Sequence, residues 1–185
     1  MRMDEGLDTG DILSVMTLPV GPEDTAGTLH EKLAQLGGAI VRRDLVPYVE
    51  GALQPVPQDH AQATLAPILE KEHGRLDFRL PAPRLATRIR GFSPWPGAFT
   101  FLAPGGRELL KVIAARAAAR PEGTEHAPPG EVLALRPLLI ATGEGTALEL
   151  EEIQPEGKRR MAAHDYVAGR RLAQGQRLDP DRHGA

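Results

Sequence analysis

Residues 131–153 read EVLALRPLLIATGEGTALELEEI, and this stretch decides the fold class of the C-terminal part. Glu131–Leu135, Leu138–Thr142 and Thr146–Ile153 are three apolar runs of strand length, the last two joined by the turn formers Gly143-Glu144-Gly145. Upstream the same texture continues. Ala98–Leu102 reads as a strand turned by Pro104-Gly105-Gly106, and Leu109–Ala115 as the next, followed by an Ala/Pro/Gly/Glu-rich surface loop over 116–130. Five short strands at this spacing predict a small barrel or sandwich. Before them, Leu85, Ile89 and Phe92 place a short amphipathic helix over Pro83–Phe92, stopped ahead of Pro94. After them, a last helix is expected from Ala162 or Ala163 to Arg171, with His164-Asp165 near its start. The residues beyond Leu178 are expected to fray.

The N-terminal third reads differently. Met3–Asp11 is a Gly-rich loop, and Ile12–Val20 an alternating run that suits a strand ending at Gly21-Pro22. Thr28 with Glu31 three residues on has the pattern of a capping box. Leu29, Leu33, Leu36 and Ile40 follow at helical spacing, with Gly37-Gly38 expected to divide the stretch into two helices ending near Glu50-Gly51. One strand and two helices cannot enclose a core, because parallel-type sheets need cover on both faces. These residues therefore read as the end of a domain whose beginning is missing. Pro55, Pro57 and Pro67 mark residues 52–75 as a linker with one short helix at most.

Composition bounds the function classes. Aromatics make up 4% of a chain that is 41% hydrophobic, so aliphatic residues must do the packing. The absence of cysteine excludes disulfides and thiolate metal sites, and fits a cytoplasmic protein. No apolar run is long enough to span a membrane, and the N-terminus lacks a signal-peptide core. The net charge of −3 conceals an asymmetry: Arg2, Lys32, Arg42 and Arg43 are the only cations before residue 60, and the other eighteen of 22 begin at Lys71. That distribution suits either an anionic partner for the C-terminal part or a solvated mixed-charge surface.

Three clusters could carry chemistry. Asp4-Glu5-Gly6-Leu7-Asp8-Thr9-Gly10-Asp11 admits a plain acidic turn or a carboxylate held on a loop to steer a proton; Val15, where a calcium loop needs its glutamate, argues against calcium. Trp95 stands between Pro94 and Pro96, either filling an apolar seam, which is the expectation, or offering a face on which a base could stack. Lys158-Arg159-Arg160 beside Gly157 is a solvated basic turn or a set of phosphate contacts. The six histidines have no metal-ligand spacing, and P-loop, GxGxxG and nucleophile-elbow motifs are absent.

Taken in order, these segments resemble the methionyl-tRNA formyltransferase family. The resemblance runs through Met3–Leu13 (MDEGLDTGDIL), Pro57-Gln58, Lys71–Phe78, Ile89–Ala98 (IRGFSPWPGA), Pro129–Val132, Ala141–Gly145 and Gln154–Met161, nearly the whole chain. It implies an α/β plus β fold: residues 1–52 as the C-terminal remnant of a Rossmann-like catalytic domain, 53–80 as linker, 81–178 as an OB-like β-barrel, and 179–185 as tail. The implied activity is formyl transfer from 10-formyltetrahydrofolate, as co-substrate and without metal, to the amino group of initiator Met-tRNA, by a cytoplasmic monomer. The family's catalytic residues are an Asn and a His, two apart on an upstream loop, and the aspartate of LDTG. Only the aspartate has a position here, Asp8. Gly6 and Leu7 fall on the loop beside the folate site, and Arg90, Lys111, Lys158, Arg159 and Arg160 are implied tRNA contacts. Without the Asn-x-His pair the 185 residues are expected to be inactive alone. An amino-sugar-nucleotide formyltransferase fragment and a non-catalytic RNA-binding remnant are the competing readings.

Overall fold

The computed structural model describes residues 1–102, 108–169 and 172–179. It divides into two compact units, residues 1–68 and 69–185.

The first unit is one long helix and the segments that lie along it. Helix α1 spans Ala26–Val49. Its N-cap is Thr25, whose side chain accepts from the Thr28 backbone while the Thr28 hydroxyl accepts from the Thr25 backbone. The capping box is therefore three residues earlier than the sequence pattern suggested. Gly37-Gly38 does not break the helix, since glycine costs only about 1 kcal/mol in a helix interior and twenty-two other residues share the load. Termination comes at Glu50, followed by Gly51 in the left-handed region at φ 76°. The strand expected over Ile12–Val20 is reduced to a single bridge: Ile12 and Val56 exchange backbone hydrogen bonds of 2.8 Å. A strand requires a neighbouring backbone to pair with, and among the described residues only Val56 bridges to this run. No residue of α1 is buried.

The second unit holds the core. Helix α2 covers Ala82–Gly91, and its N-terminus is tied down by the Thr146 hydroxyl, which accepts from Ala82 N at 2.9 Å. Its buried face is Ala82, Leu85, Ala86 and Ile89. The strands are β1 (Ala98–Leu102), β2 (Glu108–Ala118), β3 (Val132–Leu135), β4 (Leu138–Ala141), β5 (Ala147–Pro155) and β6 (Met161–Ala162), with α3 over Ala163–Gly169. The antiparallel order is β1-β2-β5-β4-β3, and β6 pairs with the far end of β5. A register shift between Val112 and Ala115 lets β2 bend against β5. The turn expected at Pro104-Gly105-Gly106 lies outside the described residues, as does Arg171.

Two expectations need correction here. Residues 69–80 are not linker: Leu76 and Phe78 are each 1% exposed and belong to the core around α2 and the sheet. Gly143 N donates to Phe78 O (2.9 Å) and Leu80 O (3.1 Å), so this segment is docked on the β4–β5 turn. Of the tail expected to fray beyond Leu178, only Asp179 lies among the described residues, and it is held in place. Asp179 is 1% exposed, its backbone N donates to Phe101 O at 2.8 Å, and its carboxylate accepts two hydrogen bonds from Arg75, one of 2.8 Å. Arg177 and Leu178 bridge Glu131 and Leu102 respectively. The segment thereby joins the start of β3 to β1 and closes the sheet on itself.

Candidate functional site

In the first unit the acidic loop is held by its own side chains and by one glutamine. Asp4 accepts from the Thr9 hydroxyl and from Gly6 N (3.0 Å), and these two hydrogen bonds, the hydroxyl's first, lower its pKa below the ordinary carboxylate value. Asp11 pairs with Arg2 at 2.9 Å. Gln58 donates its side-chain amide to Asp8 O (2.8 Å) and Gly10 O (2.6 Å). Gly10 is buried so tightly that a Cβ there would stand 1.7 Å from Arg2 O. Asp8 itself sits at φ 55°, a left-handed conformation that Asp tolerates better than most residues. Among the described residues nothing hydrogen-bonds its exposed carboxylate. Gly6 and Leu7 are exposed beside it, Leu7 to 98%. Of the loop's three aspartates, two carboxylates hold the loop and the third is presented to solvent.

The clamping role of Gln58 was not legible from spacing. Nothing in a linker pattern announces that an amide will reach back to two carbonyls some fifty residues earlier.

In the second unit the candidate cations divide. β2 and β5 run antiparallel with Lys111 opposite Gln154. That register brings Lys111 together with Arg160, which lies just beyond the β5–β6 turn. Both line one concavity, whose other walls include Gln154, Ile89, Pro94 and Pro96. Lys158 and Arg159 are exposed on the turn itself, which is braced by Gln154 donating to Lys158 O (2.9 Å). Arg90 ends α2 and reaches only Thr87, at 3.5 Å, outside the concavity. Among the described residues none of Arg90, Lys111, Lys158, Arg159 and Arg160 forms an ion pair. Arg75, Arg79 and Arg116, in the same unit, are all paired to carboxylates.

Trp95 departs from expectation. It is 57% exposed and so does not fill a seam. The neighbouring Pro94 and Pro96, both preceded by cis peptide bonds, line the concavity beside it.

Comparison with known proteins places this geometry. Residues 68–171 match the family model described as formyl transferase, C-terminal domain. A curated methionyl-tRNA formyltransferase of Myxococcus xanthus is 49% identical over 177 residues, which is 95% of this chain and 54% of that protein. One of Bacillus licheniformis is 37% identical over 98% of this chain and 56% of its own length. The chain thus spans about half the length of the curated relatives it matches. Among solved structures, an Aquifex aeolicus HypX variant superposes with a TM-score of 0.59 at 21% identity, covering 89% of this chain and 29% of that one, a likeness of fold. The six-stranded antiparallel sheet with its packed helices and the family match over most of the second unit agree: the chain belongs to the formyl transferase C-terminal domain family.

Proposed function

We propose that this chain is the C-terminal part of a methionyl-tRNA formyltransferase, which transfers a formyl group from 10-formyltetrahydrofolate to the amino group of initiator Met-tRNA in the cytoplasm. The observation that carries the reading is the identity to such enzymes along nearly the whole chain. In this reading residues 1–52 are the end of a Rossmann-like catalytic domain, and the closed sheet of the second unit is an OB-like barrel that holds tRNA. Asp8 polarises the His supplied by the upstream loop, so that the His takes a proton as the amine nitrogen attacks the formyl carbon. The bond from that carbon to N10 of the folate then breaks and tetrahydrofolate leaves. The free Asp8 carboxylate on a braced loop supports that role, with Gly6 and Leu7 beside the donor. The unpaired cations Lys111, Lys158, Arg159, Arg160 and Arg90 contact the tRNA backbone. Without the Asn-x-His pair, the 185 residues bind substrate but do not turn it over.

A chimera joining the upstream half of the Myxococcus xanthus enzyme to this chain tests the assignment. It should formylate Met-tRNA, and Asp8→Asn should lower its kcat by about 100-fold or more, the scale of a lost proton-transfer partner. An active chimera indifferent to Asp8→Asn would remove the residue from the mechanism. Turnover by the 185-residue chain alone would overturn the assignment of catalysis to upstream residues.

A further inference from the structure

A solvent-facing indole is the first observation. Trp95 is the only tryptophan in the chain and remains 57% exposed, whereas the phenylalanines of β1 are engaged: Phe99 meets Phe101 edge to face at 5.7 Å, and the Arg75 guanidinium lies over Phe101 at 5.1 Å. Leaving an indole in water forgoes the stabilisation that burying so large an apolar side chain provides. Its backbone is held by proline on either side, each fixing its own φ. A platform set in this way loses little conformational freedom when something stacks on it.

The second observation is independent of the first. The concavity lined by Pro94 and Pro96 carries Lys111 and Arg160, and neither cation is paired among the described residues. Two cations without an ion-pair partner among the described residues, lining one recess, favour an anion there. Trp95 is flanked in the chain by two residues that line the recess, so an apolar ring and an anion-attracting recess occur together, the two features that a nucleotide's flat base and its phosphate require.

We propose that Trp95 and the Lys111–Arg160 concavity form a subsite for one unpaired nucleotide, the indole stacking on the base while the two cations hold an adjacent phosphate. The inference rests on the RNA-binding reading above and sharpens it. A paired base is stacked within its helix and hides its faces, so the subsite takes a single-stranded position of the RNA: an end, a loop or a bulge. Stacking without base-edge hydrogen bonds makes it tolerant of sequence.

Because Trp95 is the sole indole, its emission reports the subsite directly. The 185-residue chain is titrated with a short single-stranded oligoribonucleotide, and separately with the same strand in a fully paired duplex. Binding is followed in parallel through the anisotropy of a label on the RNA. The single strand is expected to quench Trp95 emission saturably, and the duplex to bind through charge without quenching. Trp95→Ala should weaken the single strand by about tenfold, the scale of one lost stacking contact, and leave duplex affinity unchanged. Lys111→Gln and Arg160→Gln should each flatten the salt dependence of single-strand binding by about 0.7 in log–log slope. Single-strand binding without quenching, or undiminished by Trp95→Ala, would overturn the subsite and leave the RNA reading standing. Equal quenching by the duplex would overturn the unpaired-base assignment. Failure of both RNAs to bind would sink the subsite and the RNA reading together.

Discussion

The two units answer the same physical demand in opposite ways. In residues 69–179 every element places a side chain in a shared core: Phe78 before α2, Leu85 and Ile89 on it, Leu110 and Val112 on β2, Ile153 on β5, Tyr166 on α3 and Leu178 at the closing segment. In residues 1–68 the long helix α1 buries nothing, and Leu33, Val41, Leu45, Val46 and Val49 are each more than half exposed. The first unit is held instead by helix caps, the Gln58 clamp and surface ion pairs. Regular secondary structure is thus not evidence of stability here. A helix of twenty-four residues rests on less than a strand of four, because packing and not helix propensity supplies most of the free energy of folding.

Matched substitutions can break this contrast. Phe78→Ala, in a segment whose sequence reads as linker, should destabilise the second unit by about 4 kcal/mol through lost burial and a cavity. Leu33→Ala on α1 should cost under about 1 kcal/mol, both measured by chemical unfolding. Equal costs would mean that α1 has a core of its own. A second pair isolates steric tolerance. A Cβ at Gly143 would lie 1.8 Å from Arg79 O, and one at Gly10 lies 1.7 Å from Arg2 O. Despite equal clashes, Gly143→Ala should cost about 3 kcal/mol and Gly10→Ala less than about 1 kcal/mol, since a loop of mostly exposed residues held by a few hydrogen bonds can shift and a turn docked on the core cannot. The smallest effect expected is in acid. Asp24 and Asp44 are lowered to about 2 from 3.8, chiefly by hydrogen bonds from Lys32 and Arg43 respectively. Groups depressed in the folded state stabilise it fully above the unfolded value and lose that contribution as pH falls through the folded one. The helical circular-dichroism signal of α1 should therefore decline between about pH 4 and pH 2, more gently in high salt, where exposed pairs already contribute less. A signal flat to pH 2 would show that these pairs do not hold the helix.

What the sequence made legible follows the same division. β1 agrees with its expectation to the residue, and β3, β4 and α2 fall within one, because short apolar runs there are punctuated by Gly and Pro and their partners lie nearby in sequence. The Ile12–Val20 run has the right alternation but no partner strand beside it, and alternation alone cannot supply one. Trp95 was expected to be buried because a large ring between prolines usually is, yet exposure depends on neighbours that a one-dimensional pattern does not name. The grouping of Lys111 with Arg160 depends on the β2–β5 register, and the burial of Asp179 on a guanidinium more than a hundred residues earlier. Charges could be counted from the sequence; their neutralisation could not.

Closure of the sheet by residues 175–179 also fixes an order of events during synthesis. Phe99 of β1 is already paired with the earlier Arg75-Leu76 segment, but the Phe101-Leu102 end of β1 and the start of β3 at Glu131-Val132 gain their partners only when the chain has been made through Asp179. In that interval the nascent domain carries two sticky borders, the kind of surface that templates association between neighbouring chains on a polysome. The last few residues to join the ring thus act as a clasp, and a ribosome that stalls just before reaching them leaves a product more prone to aggregate than the closed sheet.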